Sequence, residues 1–127
     1  MSSILSYRDL VAWQKGVDLA VAVYSLTRKF PRSEIYGISS QIQRAAVSVP
    51  SNIAEGHGRS GPGEYLHFLS TARGSLREIE TDLIIANRVG FSKDATHVAL
   101  LEQADEVGRL LYGLTKGVER SKSGGIP

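Results

Sequence analysis

Apolar residues recur at every third or fourth position along almost the whole chain, a period that helices satisfy and strands do not. The first run holds Leu10, Trp13, Val17, Ala20 and Tyr24, and the second Ile35, Ile38, Ile42, Ala45, Val49 and Ile53. The third, the most regular, holds Tyr65, Leu69, Ala72, Leu76, Ile79, Leu83 and Ala86. The fourth holds Val98, Leu101, Ala104, Val107 or Gly108, Leu111, Leu114 and Val118. Between the runs lie FPRSE, GHGRSGPG and VGFSKD, each with the Pro or Gly that stops a helix. The spacing predicts helices over 8–29, 34–56, 64–89 and 93–119. Ser33 and Ser92 are the expected N-caps, their hydroxyls meeting free N–H groups of the next turn.

Four amphipathic helices with short links predict an all-α, antiparallel up-down-up-down four-helix bundle over residues 1–119. Residues 120–127, RSKSGGIP, are polar and Gly-rich and predict a flexible C-terminal tail. Pro50 breaks a local rule, because inside a helix it removes an N–H and crowds the carbonyl of Ala46. Val49 and Ile53 nevertheless continue the seam of Ile42 and Ala45, so the expectation is one second helix, kinked at Pro50.

A chain of 127 residues suits one domain with a real core. No apolar run approaches the 18 or so residues of a membrane span, and the N-terminus lacks the pattern of a signal peptide. With no cysteine, disulfides and thiolate metal sites are excluded. The expected setting is the cytoplasm, with no membrane partner.

Gly56, Gly58 and Gly61 match G-x-G-x-x-G, the phosphate-cradling pattern of dinucleotide-binding folds. That chemistry needs a strand before the glycines and a helix after them. Here the preceding segment has helical period, so the glycines are expected to make a turn, with Gly56 or Gly58 in a left-handed helix-ending conformation. Pro62 and Gly63 then restart the chain ahead of Glu64.

A bundle also invites a test for a di-metal centre, which takes Glu-x-x-His from two helices. Glu64 and His67 fit, and Asp94 and His97 fit more weakly. Both pairs open their helices, and the third and fourth helices are expected to run in opposite directions. At ~1.5 Å rise per residue the pairs then stand more than about 30 Å apart. No metal, no cofactor and no catalytic residue is expected, and His57, His67 and His97 form no nucleophile–base set. The chain does not read as an enzyme.

Gln41, Arg44, Ser48, Ser51 or Asn52, and Glu55 form a polar stripe on the second helix, beside the small residues Ala45 and Ala46. Folding the second and third helices back on each other pairs position i with about 120 − i. This predicts an Arg44–Glu78 contact, within the subunit or between subunits, and sets Ser48 near Ala72 and Ser75. Gly74 within the third helix costs about 1 kcal/mol relative to alanine, which suggests close approach of another backbone. Arg44, Ser48, Gly74 and Glu78 are therefore the candidate interface residues.

The formal charge of +2 is too small to argue for nucleic acid, so distribution must carry that case. The first and third links share one end of the expected bundle, which gathers Arg28, Lys29, Arg32, Arg88 and Lys93 against only Glu34 and Asp94. These five are the candidate phosphate contacts. At the other end Arg8, Arg59, Lys116, Arg120 and Lys122 are more fully countered by Asp9, Glu55, Glu64 and Glu119.

Residues 36–59, YGISSQIQRAAVSVPSNIAEGHGR, carry a family resemblance, with YRDLVAWQKGVDLAVAVY before them and EYLHFLSTARGSLREIETDLIIANRVGF after. Trp13-Gln14-Lys15, the run from Arg44 to Gly56 and Gly74-Ser75-Leu76 are its most specific parts. From Tyr7 to the end of the fourth helix the chain resembles the small four-helix bundle proteins encoded by intervening sequences in bacterial 23S rRNA genes. The resemblance implies a ring-like homopentamer. It also implies kinship with the accessory variability determinant of diversity-generating retroelements, a basic pentamer that binds a reverse transcriptase and nucleic acid. The expected function is a non-enzymatic RNA- or DNA-binding or retroelement-associated accessory protein. The alternative is a protein-interaction scaffold that presents inter-helix grooves to a partner.

Overall fold

The computed structural model describes residues 6–124, which form four α-helices with no strand among them. They are α1 (Val11–Thr27), α2 (Ile38–His57), α3 (Pro62–Arg88) and α4 (Asp94–Gly124). The helices touch in a ring, α1 to α2, α2 to α3, α3 to α4 and α4 to α1. One apolar core fills the middle, with Leu19, Ile42, Ile53, Leu69, Leu76, Ile79, Leu83 and Leu111 almost wholly buried.

α1 starts later than the expected residue 8. Tyr7–Asp9 form a single 3-10 turn capped by the Ser6 hydroxyl, which accepts from the Arg8 N–H at 3.1 Å. Leu10 is extended at φ −75° and ψ 123°, so the α-helix opens only at Val11. The buried face of α1 is also displaced from the expected stripe. Ala12, Gly16, Leu19, Ala20, Val23 and Leu26 turn inward, whereas Trp13 and Val17 are half-buried and Tyr24 is exposed. At the far end Thr27 accepts a hydrogen bond from Gln43 Nε2 at 2.9 Å, which ties α1 to α2.

Neither expected serine cap is used. Pro31 is extended and leads into a 3-10 turn over Arg32–Glu34, so Ser33 lies inside that turn rather than before a helix. The Glu34 carboxylate instead accepts from the Ile38 N–H at 3.4 Å. α4 begins at Asp94, two residues past Ser92. It continues through Arg120–Gly124, where the tail is expected, and residues 125–127 lie outside the described residues.

α2 passes through Pro50 as one helix. Pro50 is buried where Gly16 of α1 leaves room; a Cβ at Gly16 would lie 3.5 Å from Pro50 Cβ and 3.6 Å from Val49 Cγ1. Packing against α1 thus offsets the backbone hydrogen bond that proline cannot make.

The Gly-rich segment is the end of one helix, a turn and the start of the next, and no strand precedes it. Neither Gly56 nor Gly58 is left-handed, in contrast to the expectation. Gly58 sits at φ −82°, and Gly56 lies inside α2, where a Cβ would stand 2.9 Å from both Phe68 Cβ and Tyr65 Cδ1. Its missing side chain is what lets α2 meet α3. Gly61 caps α3, and Pro62 occupies the first turn, where its missing N–H costs nothing.

Gly74, by contrast, has nothing within 4 Å of a built Cβ, so no other backbone of this chain passes close to it. The two glycines should therefore respond with opposite signs. Gly56→Ala is expected to destabilise by about 1–3 kcal/mol through overpacking. Gly74→Ala is expected to stabilise by up to about 1 kcal/mol through helix propensity. Urea unfolding of the two variants checks this, and a gain at Gly56 would mean that α2 and α3 sit further apart.

Candidate functional site

The end of the molecule that carries the α1–α2 and α3–α4 links is built around two phenylalanines. α3 terminates at Gly90, whose φ of +89° is the single positive value among the described residues. Phe91 N–H reaches back to the Ala86 carbonyl at 2.8 Å and Gly90 N–H to Asn87 at 3.0 Å, the paired bonds of a Schellman cap. The cap directs Phe91 onto Phe30 of the other link, with ring centroids 5.6 Å apart. The two links are thereby held together.

Arg28, Lys29, Arg32, Arg88 and Lys93 are all exposed at this end. Lys29 and Lys93 line one cleft of about 840 Å³ between α1 and the start of α4, floored by Leu26, Phe91 and Leu100. Arg28 faces another side and lines the groove between α1 and α2. Among the described residues none of the five makes an ion pair. The nearby acids are engaged elsewhere: Glu34 with the Ile38 N–H, and Asp94 with Asn87 Nδ2 at 3.1 Å.

Three of the five cations at the opposite end are engaged, while Arg120 and Lys122 make no ion pair among the described residues. Arg59 pairs with Glu55 at 3.1 Å and lies over the Phe68 ring, and Lys116 pairs with Glu119 at 3.4 Å and lies near Tyr112. Arg8 lies over Tyr7. The five cations of the first end are free of ion pairs, and the second end spends part of its charge internally.

The polar stripe of α2 lies along α3. Ser48 Oγ is 2.8 Å from Ser75 Oγ, Asn52 Nδ2 donates to Ser48, and Gln41 Nε2 donates to Asp82 Oδ1 at 2.8 Å. Ser48 meets Ser75 as expected, whereas Gln41, expected opposite position 79, meets Asp82, a slip of nearly one helical turn. Arg44 makes no bond to Glu78 within the subunit. It donates to Ser40 one turn back on its own helix, while Glu78 stays exposed. A partner four residues away costs a mobile side chain less ordering than one across a seam.

Asp82 belongs to no motif in the sequence. It is 2% exposed, and burial pushes its carboxyl above the usual range, opposed by the Gln41 hydrogen bond and reinforced by the charge of Glu78. Its Oδ2 has no protein partner. The sequence signal was its position three residues after Ile79 and one before Leu83, on the edge of the apolar seam. A carboxyl raised on folding adds stability that is complete below its unfolded value, near ~3.9, and is lost as pH rises through the folded value. The stability of the native chain relative to Asp82→Asn should therefore fall as pH is raised from about 3 to about 7. Urea unfolding at stepped pH reads this, and a difference that stays constant would mean that Asp82 titrates as in the unfolded chain.

Among the described residues no group of three or more His, Asp or Glu could hold a metal ion, and no helix is long and apolar enough to cross a membrane. The family described as 23S rRNA-intervening sequence protein matches residues 8–113. The chain belongs to that family. It is also similar to a crystal structure, at 1.70 Å resolution, of a protein of unknown function from the S23 ribosomal protein family of Bacteroides thetaiotaomicron VPI-5482. That likeness has a TM-score of 0.75 at 21% identity and covers 84% of this chain and 99% of the other, and it shows the shared four-helix fold. No curated protein matches the chain.

This 23S rRNA-intervening sequence family member carries a second surface feature that sequence periodicity misassigned. Trp13, Val17 and Tyr24, expected in the core, line an apolar groove of about 510 Å³ between α1 and α2, with Val21, Val47 and Pro50. Val21 is 61% and Val47 44% exposed, so the groove is open to solvent. Period alone could not separate it from the core, because both faces of α1 repeat at three and four.

Proposed function

We propose that this family member is a non-enzymatic, oligomeric RNA-binding module. The observation that carries the proposal is the set of five exposed cations at one end, free of ion pairs while their neighbouring acids are engaged elsewhere. Contacts through phosphates give binding that weakens with salt and depends little on sequence, on RNA or DNA alike. The family's description, tied to 23S rRNA intervening sequences, supports an RNA setting.

The helices run up-down-up-down, with α2 bending at Pro50. For α2 and α3 the partner numbers support an antiparallel run: they fall along α3 as they rise along α2, from Gln41–Asp82 to Ser48–Ser75 to Gly56–Phe68. The resemblance to the retroelement accessory proteins supports a ring-like homopentamer in the cytoplasm, with a reverse transcriptase as a further partner. Arg44, Glu78 and the open surface over Gly74 suit a contact between copies. Repeating the basic end around a ring would multiply weak phosphate contacts into useful avidity.

A second reading, a scaffold for a partner protein, is favoured by the apolar groove between α1 and α2. Light scattering on the purified chain, with and without a structured RNA at two salt concentrations, separates the two. Mass gained with RNA at low salt and lost at high salt is the expected result. A multimer indifferent to RNA at both salts would overturn the RNA reading and leave the scaffold.

A further inference from the structure

Tyr36 is 97% exposed, the most open of the large hydrophobic side chains among the described residues. It lies in the α1–α2 link, four residues after Arg32 and beside Ile35, itself 49% exposed. A ring with no packing partner contributes almost nothing to the core, yet the backbone that carries it is held on both sides. Ile35 N–H bonds to the Arg32 carbonyl at 3.2 Å and Gly37 N–H to the Glu34 carbonyl at 3.0 Å. Gln41 N–H then bonds to the Gly37 carbonyl at 3.1 Å, and Glu34 accepts from Ile38 N–H. The ring is thus presented from a fixed turn rather than a loose loop, which lowers the ordering cost of binding.

The link also carries Arg28, Lys29 and Arg32, and the Phe30–Phe91 contact brings it against the link that carries Lys93. Four residues of chain span at most about 14 Å, so Tyr36 and Arg32 fall within one short stretch of a nucleic-acid strand. Exposed aromatic rings beside backbone-tracking cations are how proteins hold unpaired bases, since every base offers a face for stacking. A duplex, with its bases already stacked on one another, offers the ring no such face.

We propose that Tyr36 is a stacking platform for an unpaired base, so that this end of the bundle takes single-stranded RNA in preference to duplex. This rests on the RNA-binding reading above and narrows its ligand class. The cations would hold the phosphates of a short strand and Tyr36 one of its bases.

The test is titration of a labelled single-stranded RNA, and of a duplex of the same length, with the native chain, Tyr36→Ala, Tyr36→Phe and the variant with the five cations replaced by glutamine. Tyr36→Ala should weaken single-strand binding about 5- to 150-fold, the range found when a stacked aromatic is cut to alanine. Tyr36→Phe should keep that affinity, duplex binding should not respond to either, and the salt slope should not change, because no charge is removed. Equal single-strand affinity for Tyr36→Ala and the native chain, with the glutamine variant weakened, would overturn the stacking role and leave the RNA reading intact. Equal losses on strand and duplex would also overturn it. So would a fall in the mass of the RNA-free protein on Tyr36→Ala, since the ring would then lie between copies of the chain. A native chain that binds neither RNA would overturn both readings together. Helical circular dichroism confirms that each variant is folded.

Discussion

Replacing Leu76 with alanine is expected to lower the unfolding free energy by about 2–5 kcal/mol, in the upper part of that range. Leu76 is fully buried at the centre of α3, between Ala72 and Ile79 on the same face. Across the core stands Gly108 of α4, and a Cβ there would lie 3.4 Å from Leu76 Cδ2. The leucine side chain therefore stands directly against the glycine. Once the leucine is cut back, α4 has no side chain at that point to settle into the gap. Cavities that cannot collapse cost the most, because the lining atoms lose their contacts outright. Against a typical total of about 5–15 kcal/mol this is a large share. The urea midpoint should fall with little change in slope, read at fixed protein concentration because assembly would otherwise shift it. A loss below about 1 kcal/mol would mean that α3 and α4 do not pack at this point.

The second large effect is on RNA. With Arg28, Lys29, Arg32, Arg88 and Lys93 all changed to glutamine, single-strand affinity at low salt should fall by orders of magnitude. Each phosphate contact on a single strand adds about 0.7 to the slope of log affinity against log salt, so loss of five should flatten it by about 3.5. If only Lys29 and Lys93 touch phosphate, across their shared cleft, the flattening should be nearer about 1.4. The slope thus counts contacts independently of absolute affinity. All five side chains are exposed and free of ion pairs, so the variant should unfold close to the native midpoint. An unchanged slope would remove the basic end from the interface.

Much of the fold is legible in the order of residues. Leu69, Ala72, Leu76, Ile79, Leu83 and Ala86 are all buried, as their spacing requires, and so are Ile42, Ala45, Val49 and Ile53. α1 was harder to read because it is apolar on two faces. The face with Leu19 and Val23 enters the core, and the one with Trp13 and Val17 lines the groove. Helix starts were the weakest inference. Backbone N–H groups took whatever acceptor the local turn offered, Glu34 in place of Ser33, and no pattern of residue types dictates that choice.

The candidate site divides in the same way. The basic residues and the turns that gather them can be named from the linear chain, because charge and Gly/Pro punctuation are local properties. Which of them stay free of ion pairs cannot, since it depends on acids brought near or held away by packing: Glu34 bent back to Ile38, Asp94 to Asn87, and Glu55 and Glu119 set beside their cations. Register is likewise a tertiary matter. A slip of nearly one turn between α2 and α3 leaves both apolar seams facing inward, since residues three apart lie on one helix face. The hydrophobic pattern alone therefore permits either pairing. Close packing at Gly56, with room for no side chain beside Tyr65 and Phe68, accompanies the Gln41–Asp82 pair, while Arg44 turns to Ser40 on its own helix.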